Sequence, residues 1–358
     1  MKHKVARTVA GVSTAVCLAG FSAANAAAAA AHQPTWHTIY TQDQNAEFEA
    51  VVATGKSSGF AFLEPDATVA TPVAYERTGA TAFKKVPFPT VASEWVAGAS
   101  ASSPSDVYVF ADVLTLSSSK AESEVLKWTG TKFSVVASFA GELGGGTVLS
   151  PDDVFAYGSG AWAGGTLPAA DTYHYNGHTW TRISSTVNGT GDALSATSAY
   201  VADGTDLDHY NGHQWTATNL ASLLPAKQDG NIPALAGVLA LSADDIYATG
   251  DAGLDTGPAV ILHYNGHTWA KVASYPTAIG QPASDGQGGL WAPETETAAY
   301  GLLHYSHGKL TAVAGPEYDK THAIIDSISR IPGTSGELAG GFFPLSSYPH
   351  PPAVLQYG

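Results

Sequence analysis

Histidines recur in this sequence at a spacing that suits a metal ion. His174/His178, His209/His213 and His263/His267 each stand four apart, as zinc ligands do on one face of a helix. Each pair, however, brackets an Asn-Gly dipeptide (Asn176-Gly177, Asn211-Gly212, Asn265-Gly266), the strongest short signal for a β-hairpin. Read as a two-residue turn, it sets Tyr175 opposite His178 and His174 opposite Thr179, on opposite faces of the sheet. The two histidines of a pair then cannot share one ion, and no metal site is expected there. Trp180, Trp215 and Trp269, which follow these turns, are expected to pack between neighbouring units.

Carboxylates and aromatics in the connecting segments are the second group. Glu94, Trp95, Trp162, Tyr318, Asp319 and His322 all fall there. Aromatic faces stack on the C–H surfaces of sugars, carboxylates accept from hydroxyls, and two carboxyls can act as acid and base in glycoside cleavage. Trp95, Trp162, Glu94, Asp319 and His322 are the candidate ligand-binding residues. No catalytic pair can be chosen, because distances between loops are not written in a sequence. No glycine-rich phosphate loop opens a helix, no Gly-x-Ser-x-Gly nucleophile elbow is expected, and no sialidase-type aspartate box is present. No cofactor is implied.

The elements that must position these residues are strands. Short Val/Tyr/Thr/Trp runs bounded by Gly, Asn, Asp and Pro recur along the chain, while apolar residues at helical spacing are scarce. A unit of about 35 to 54 residues repeats. Its clearest mark is His-Tyr-Asn-Gly-His-Thr-Trp, at His174–Trp180 and His263–Trp269, with a near copy at His209–Trp215. Upstream lies a Ser/Pro/Asp turn leading into a strand, as in Ser150-Pro-Asp-Asp-Val-Phe155 and Ser242-Ala-Asp-Asp-Ile-Tyr247. Serine and aspartate at such turns can bond nearby backbone amides. Each unit therefore reads as four strands, for example Gly237–Leu241, Ile246–Gly250, Ala259–Tyr264 and Thr268–Val272.

Six fourth-strand anchors can be counted: Phe83, Phe133, Trp180, Trp215, Trp269 and Leu310. The seventh is at the other end of the chain. The final Ala353–Gly358 reads as a third strand that stops where its turn should begin, and Pro34-Thr-Trp-His-Thr-Ile39 supplies the missing fourth. The predicted fold is all-β: a seven-bladed propeller of four-stranded antiparallel blades, the last closed by the N-terminal strand, which removes open sheet edges at the seam. Trp36 is expected opposite Leu355, as Trp269 is opposite Leu262.

The N-terminus carries Lys2, Lys4 and Arg7, an apolar small-residue stretch from Val9 to Phe21, and Ala24-Asn25-Ala26. That is the layout of a secretory signal peptide, so residues 1–26 are expected to be removed. Residues 27–33 are expected to be a flexible alanine-rich segment, and 34–358 a single propeller domain. Cleavage takes away Cys17, the one cysteine, and three of the 16 basic residues. The remaining 13 face 31 acidic ones, a net charge of −18. So acidic a chain repels phosphate backbones and anionic membranes, which speaks against nucleic acid as a partner and against membrane insertion after cleavage.

The stretches Leu149–Gly158 (Leu-Ser-Pro-Asp-Asp-Val-Phe-Ala-Tyr-Gly) and His174–Trp180 resemble the kelch-like, galactose-oxidase-type propeller repeats of secreted actinobacterial proteins. The resemblance runs over nearly the whole mature chain and implies the propeller fold. The kelch double glycine is mostly reduced to one, at Gly158 and Gly250, with a true pair at Gly340-Gly341. Galactose oxidase itself needs a cysteine crosslinked to a copper-ligating tyrosine, so a mature chain without cysteine excludes that chemistry. The reading reached is a secreted, monomeric binding or scaffold module for a polysaccharide or an extracellular protein. The alternative is an extracellular glycoside hydrolase or lyase using loop carboxylates. Any ligand site is expected on the face opposite the Asn-Gly turns.

Overall fold

The computed structural model describes residues 34–65, 71–89, 94–115, 120–159, 169–227, 230–253, 257–295, 301–346 and 349–358. Seven four-stranded antiparallel sheets follow one another along the chain, each with strands a to d from the centre outward. Blade 5 shows the pattern: a Ala234–Ser242, b Asp245–Asp251, c Ala259–Tyr264, d Trp269–Tyr275. Its b strand is buried at nearly every position, while its d strand alternates between exposed and half-buried residues. The cause is position: b is covered on both faces by neighbouring blades, whereas d stands at the rim.

The remaining inner strands are Ala46–Gly55, Glu94–Ser103, Leu143–Ser150, Thr190–Ser195, Ala283–Ser284 and Ile324–Arg330, opening blades 1, 2, 3, 4, 6 and 7. Seven apolar clusters fill the spaces between blades, one at each junction. Phe62 and Ala74 of blade 1 meet Val109 and Leu126 of blade 2, for instance. Inner strands are also pegged by short polar side chains. The amides of Val51 and Ala53 donate to Ser327 and Ser329 Oγ, each at 3.1 Å, and the Val148 amide donates to Ser100 Oγ at 3.0 Å. Each peg satisfies an inner-strand donor that has no further strand to pair with.

Blade 7 joins the two chain ends: Ile324–Arg330, Glu337–Phe342 and Pro352–Tyr357 are completed by Trp36–Thr41. The predicted blade count and closure are thus observed, and all six predicted anchors lie at the beginning of a d strand. The expected register is not. Trp36 faces Tyr357, and Leu355 faces Thr38. Likewise Trp269 faces Tyr264, and Leu262 faces Lys271.

The reason lies in the turn. Asn265-Gly-His-Thr268 is a four-residue loop in which Asn265 Oδ1 accepts from the amides of His267 and Thr268 at 3.1 and 3.0 Å. The loops at Asn176 and Asn211 are built the same way. Asparagine uses its side chain as the turn acceptor, and only the glycine takes positive φ, 84° at Gly266. Tyr175 accordingly pairs with Trp180 and His174 with Thr181.

Candidate functional site

The repeating histidines are engaged within their blades. His174, His263 and His304 place Nε2 at 2.7, 2.8 and 3.0 Å from Asp153, Asp245 and Asp285, at the start of strand b or in the a–b turn. Their rings stack on the strand-b aromatics Phe155, Tyr247 and Trp291, with centres 4.2–4.4 Å apart. Blade 4 has His209 on Tyr200, and blade 2 puts Lys127 there, over Tyr108 and 3.4 Å from Asp106. The turn serine bonds an amide as expected, Ser242 Oγ accepting from Asp244 N at 3.3 Å. The second aspartate of the motif serves the histidine. His178, His213 and His267 lie out in the turns, so each His pair is split by function: one ring stapled to its blade, one at the turn.

Gly55-Lys56-Ser57-Ser58-Gly59 has the Gly-x-Ser-x-Gly spacing of a nucleophile elbow, but it is the a–b hairpin of blade 1, with a strand on either side. That is not the strand-to-helix turn such a nucleophile requires.

The predicted ligand residues are dispersed. Trp95, 39% exposed, stands at the entrance of blade 2, and its indole donates to Asp112 at 3.3 Å. Glu94 begins the same strand, its side chain outside the described residues, as is all of Trp162. Asp319 and Lys320 turn the small hairpin Glu317–Tyr318/Thr321–His322 with φ of 47° and 66°. His322 holds that hairpin, Nδ1 2.9 Å from the Gly315 carbonyl and Nε2 3.5 Å from Glu317. This hairpin lies between blades 6 and 7, so blades 7 and 1 separate it from Trp95.

A different set of residues converges at the centre. Near the start of strand a, the pairing with strand b skips one residue in five blades: Glu49, Ala97, Gly144, Ala236 and Asp326. Such bulges free a residue from the ladder and re-aim its side chain. Glu49, Ala97, Gly144 and Asp326 line a channel cavity of about 180 Å³, together with Gly98, Gly145, Gly191, Gln281 and Ser327. The two carboxylates sit on the adjacent blades 7 and 1, and the bulges of blades 2, 3 and 5 carry only alanine or glycine. The described lining contains no lysine, arginine or histidine. These bulges lie toward the ends of the inner strands that open on the face opposite the Asn-Gly turns.

Both channel carboxyls have raised proton affinity. Enclosure by protein pushes Glu49 well above the ordinary carboxylate range, and Asp326, Glu47 and Glu64 push it further. Asp326 is raised by the same enclosure and by Glu47, although its side chain is open to the channel. Other inner carboxyls are tied down. Glu64 accepts from the Val96 amide. Asp112 accepts from Leu143 N at 2.8 Å, and burial lifts it to about 7. Asp192 accepts from Ala240 N at 2.9 Å and is lifted to about 6 by burial.

Glu49 and Asp326 are not among the residues that the sequence singled out. The signal available was a lone carboxylate within an apolar strand, as in Ile324-Ile-Asp-Ser-Ile328.

No family model and no curated protein sequence matches the chain. Solved structures do. The β-propeller domain of the Trilobed protease from Pyrococcus furiosus is similar over 89% of this chain and 94% of its own, with TM-score 0.52 and 7% identity. It is described as having an open velcro topology, whereas here Trp36–Thr41 closes the last blade. The WD40 domain of Toxoplasma gondii coronin matches over 91% and 86% (TM-score 0.53, 8% identity). The GH74 xyloglucanase from Xanthomonas campestris matches over 86% of this chain and 52% of its own (TM-score 0.52, 12% identity). At such identities the likeness speaks to architecture, and the architecture is the β-propeller.

Proposed function

We propose that this protein is a secreted, kelch-like binding propeller whose site is the acidic mouth of its central channel. The observation that carries this reading is the pair Glu49 and Asp326, re-aimed by bulges into one cavity without a basic residue in its described lining. Glu47 and Glu64 add negative charge nearby. A group that fits there brings positive charge and hydrogen-bond donors, as an amine-bearing saccharide of a cell wall or polysaccharide does. Export follows from the basic, apolar and Ala-Asn-Ala order of residues 1–26. Trp95 at the entrance of blade 2 offers an aromatic surface beside the mouth.

Calorimetry with glucosamine oligomers and their N-acetylated counterparts tests this. The amine form is expected to bind, and Glu49→Gln and Asp326→Asn to weaken it at least tenfold. Binding of both forms with equal affinity, or indifference to both substitutions, would refute it. A second reading rests on the raised proton affinity of two carboxyls in one chamber, which suits a general acid in glycoside cleavage. Release of reducing ends that disappears in both variants would support it over simple binding.

A further inference from the structure

Blade 7 departs from blades 3 to 6 at one buried position. Where strand b faces the tyrosine of strand c, blades 3, 4, 5 and 6 place Val154, Ala199, Ile246 and Leu290, opposite Tyr175, Tyr210, Tyr264 and Tyr305. All four apolar residues are buried. In blade 7 the residue facing Tyr357 is Glu337, with 0% of its surface exposed and neither carboxylate oxygen hydrogen-bonded. A carboxyl so placed is tolerated as the neutral acid and is costly as the anion.

Its surroundings do not provide a counter-charge in place. Arg330 is its register partner across the a–b hairpin, but that guanidinium is exposed and donates to the Thr334 carbonyl from Nε and Nη2, at 3.3 and 3.2 Å. From blade 6 comes Asp285, held by His304 and by the amides of Gln287 and Gly289. Beyond Tyr357 in the same lateral row lies Trp36 of the N-terminal strand, its buried indole N–H likewise without a partner. Arg330 and Asp285 act on Glu337 through their charge, Tyr357 faces it across the sheet, and His304 reaches it through Asp285.

We propose that Glu337 makes blade 7 an alkali-sensitive closure, sealed while the carboxyl keeps its proton and released at the N-terminal strand when the proton is lost. The release point follows from connectivity: Trp36–Thr41 bonds to one strand only, and no covalent turn ties it to Pro352–Tyr357. Burial raises Glu337 to about 9, Arg330 opposing and Asp285 reinforcing the shift. A folded value above the unfolded one stabilises fully below the unfolded pKa. That stabilisation is lost progressively as pH rises from the unfolded value to the folded one, so the seam is expected to loosen steadily through neutral pH and to be at its loosest above about pH 9.

Hydrogen exchange of the full chain, corrected for intrinsic rates, decides this. Peptides covering 34–41 are expected to lose protection at least tenfold between pH 7 and 10, and those of blade 3 less than twofold. Glu337→Gln is expected to abolish the difference. Arg330→Gln removes a charge that favours the anion and is expected to move the midpoint to higher pH, which keeps the test open if the first variant does not fold. Equal loss in all blades, a wild-type profile in Glu337→Gln, or an unmoved midpoint in Arg330→Gln would overturn the proposal.

Discussion

The indole of Trp36 meets that of Trp291 edge-on, ring centres 5.5 Å apart. The first residue of the closing strand is therefore anchored on blade 6 as well as on Tyr357, the residue it faces across the seam. Truncating Trp36, 6% exposed, to alanine is expected to cost about 3–5 kcal/mol, the usual range for a buried large aromatic. Deleting residues 34–41 would leave an open edge on Pro352–Tyr357 and lower the melting temperature sharply. A deletion variant that melts like the intact chain would show that this strand does not close the ring.

The His–Asp–aromatic unit is expected to act as a blade staple. His263→Ala removes both the stack on Tyr247 and the bond to Asp245. Both side chains are partly exposed, so denaturant unfolding should register a modest loss of about 1–2 kcal/mol. Asp285 is held below the ordinary carboxylate range, the bonds from His304 and two amides outweighing the opposing effect of burial. A depressed folded value gives stability above the unfolded pKa that is lost as pH falls through the folded one. His304→Ala should therefore flatten the decline in stability below about pH 4.

Substituting both His178 and His267 by alanine should leave the melting temperature within about a degree or two, as surface changes usually do. The backbone amides of these turn residues, not their rings, bond Asn176 and Asn265. Stoichiometric zinc bound by the parent and lost in the double variant would contradict the split roles of each His pair.

Binding of a cationic group in the channel is expected to expel protons. Glu49 and Asp326 both have raised proton affinity, and a positive ligand stabilises their ionised forms. Over the range in which the ligand's amine keeps its own proton, affinity should rise with pH. Calorimetry in buffers of different ionisation enthalpy should report net proton release, and Asp326→Asn should reduce it. An affinity that falls as pH rises within that range would contradict cation recognition at this site.

Strand number and ring closure were legible in the sequence because each blade repeats the same local chemistry. The Asn-Gly turn recurs three times and the fourth-strand anchor six times, five of them aromatic, and the unpaired third strand at Ala353–Gly358 calls for the fourth at Trp36. Register was less legible. Asn-Gly-His-Thr is compatible with a two-residue or a four-residue loop, and the choice depends on whether asparagine supplies its backbone or its side chain to the turn. The described structure places all three copies in the side-chain form, which moves each pairing by two residues.

The channel site was hidden for a different reason. Glu49 and Asp326 are 277 positions apart in the chain, and only ring closure makes blades 7 and 1 neighbours. Whether a strand carboxylate points between blades or into the channel depends on a single skipped residue in the ladder. Glu337 shows the same limit: its strand reads as Glu-Leu-Ala-Gly-Gly-Phe, an ordinary polar start in one dimension. Local turn and strand chemistry acts between residues close in the chain and so can be read along it. Burial, bulge direction and the meeting of distant carboxyls arise from closure of the ring, and those the tertiary structure alone decided.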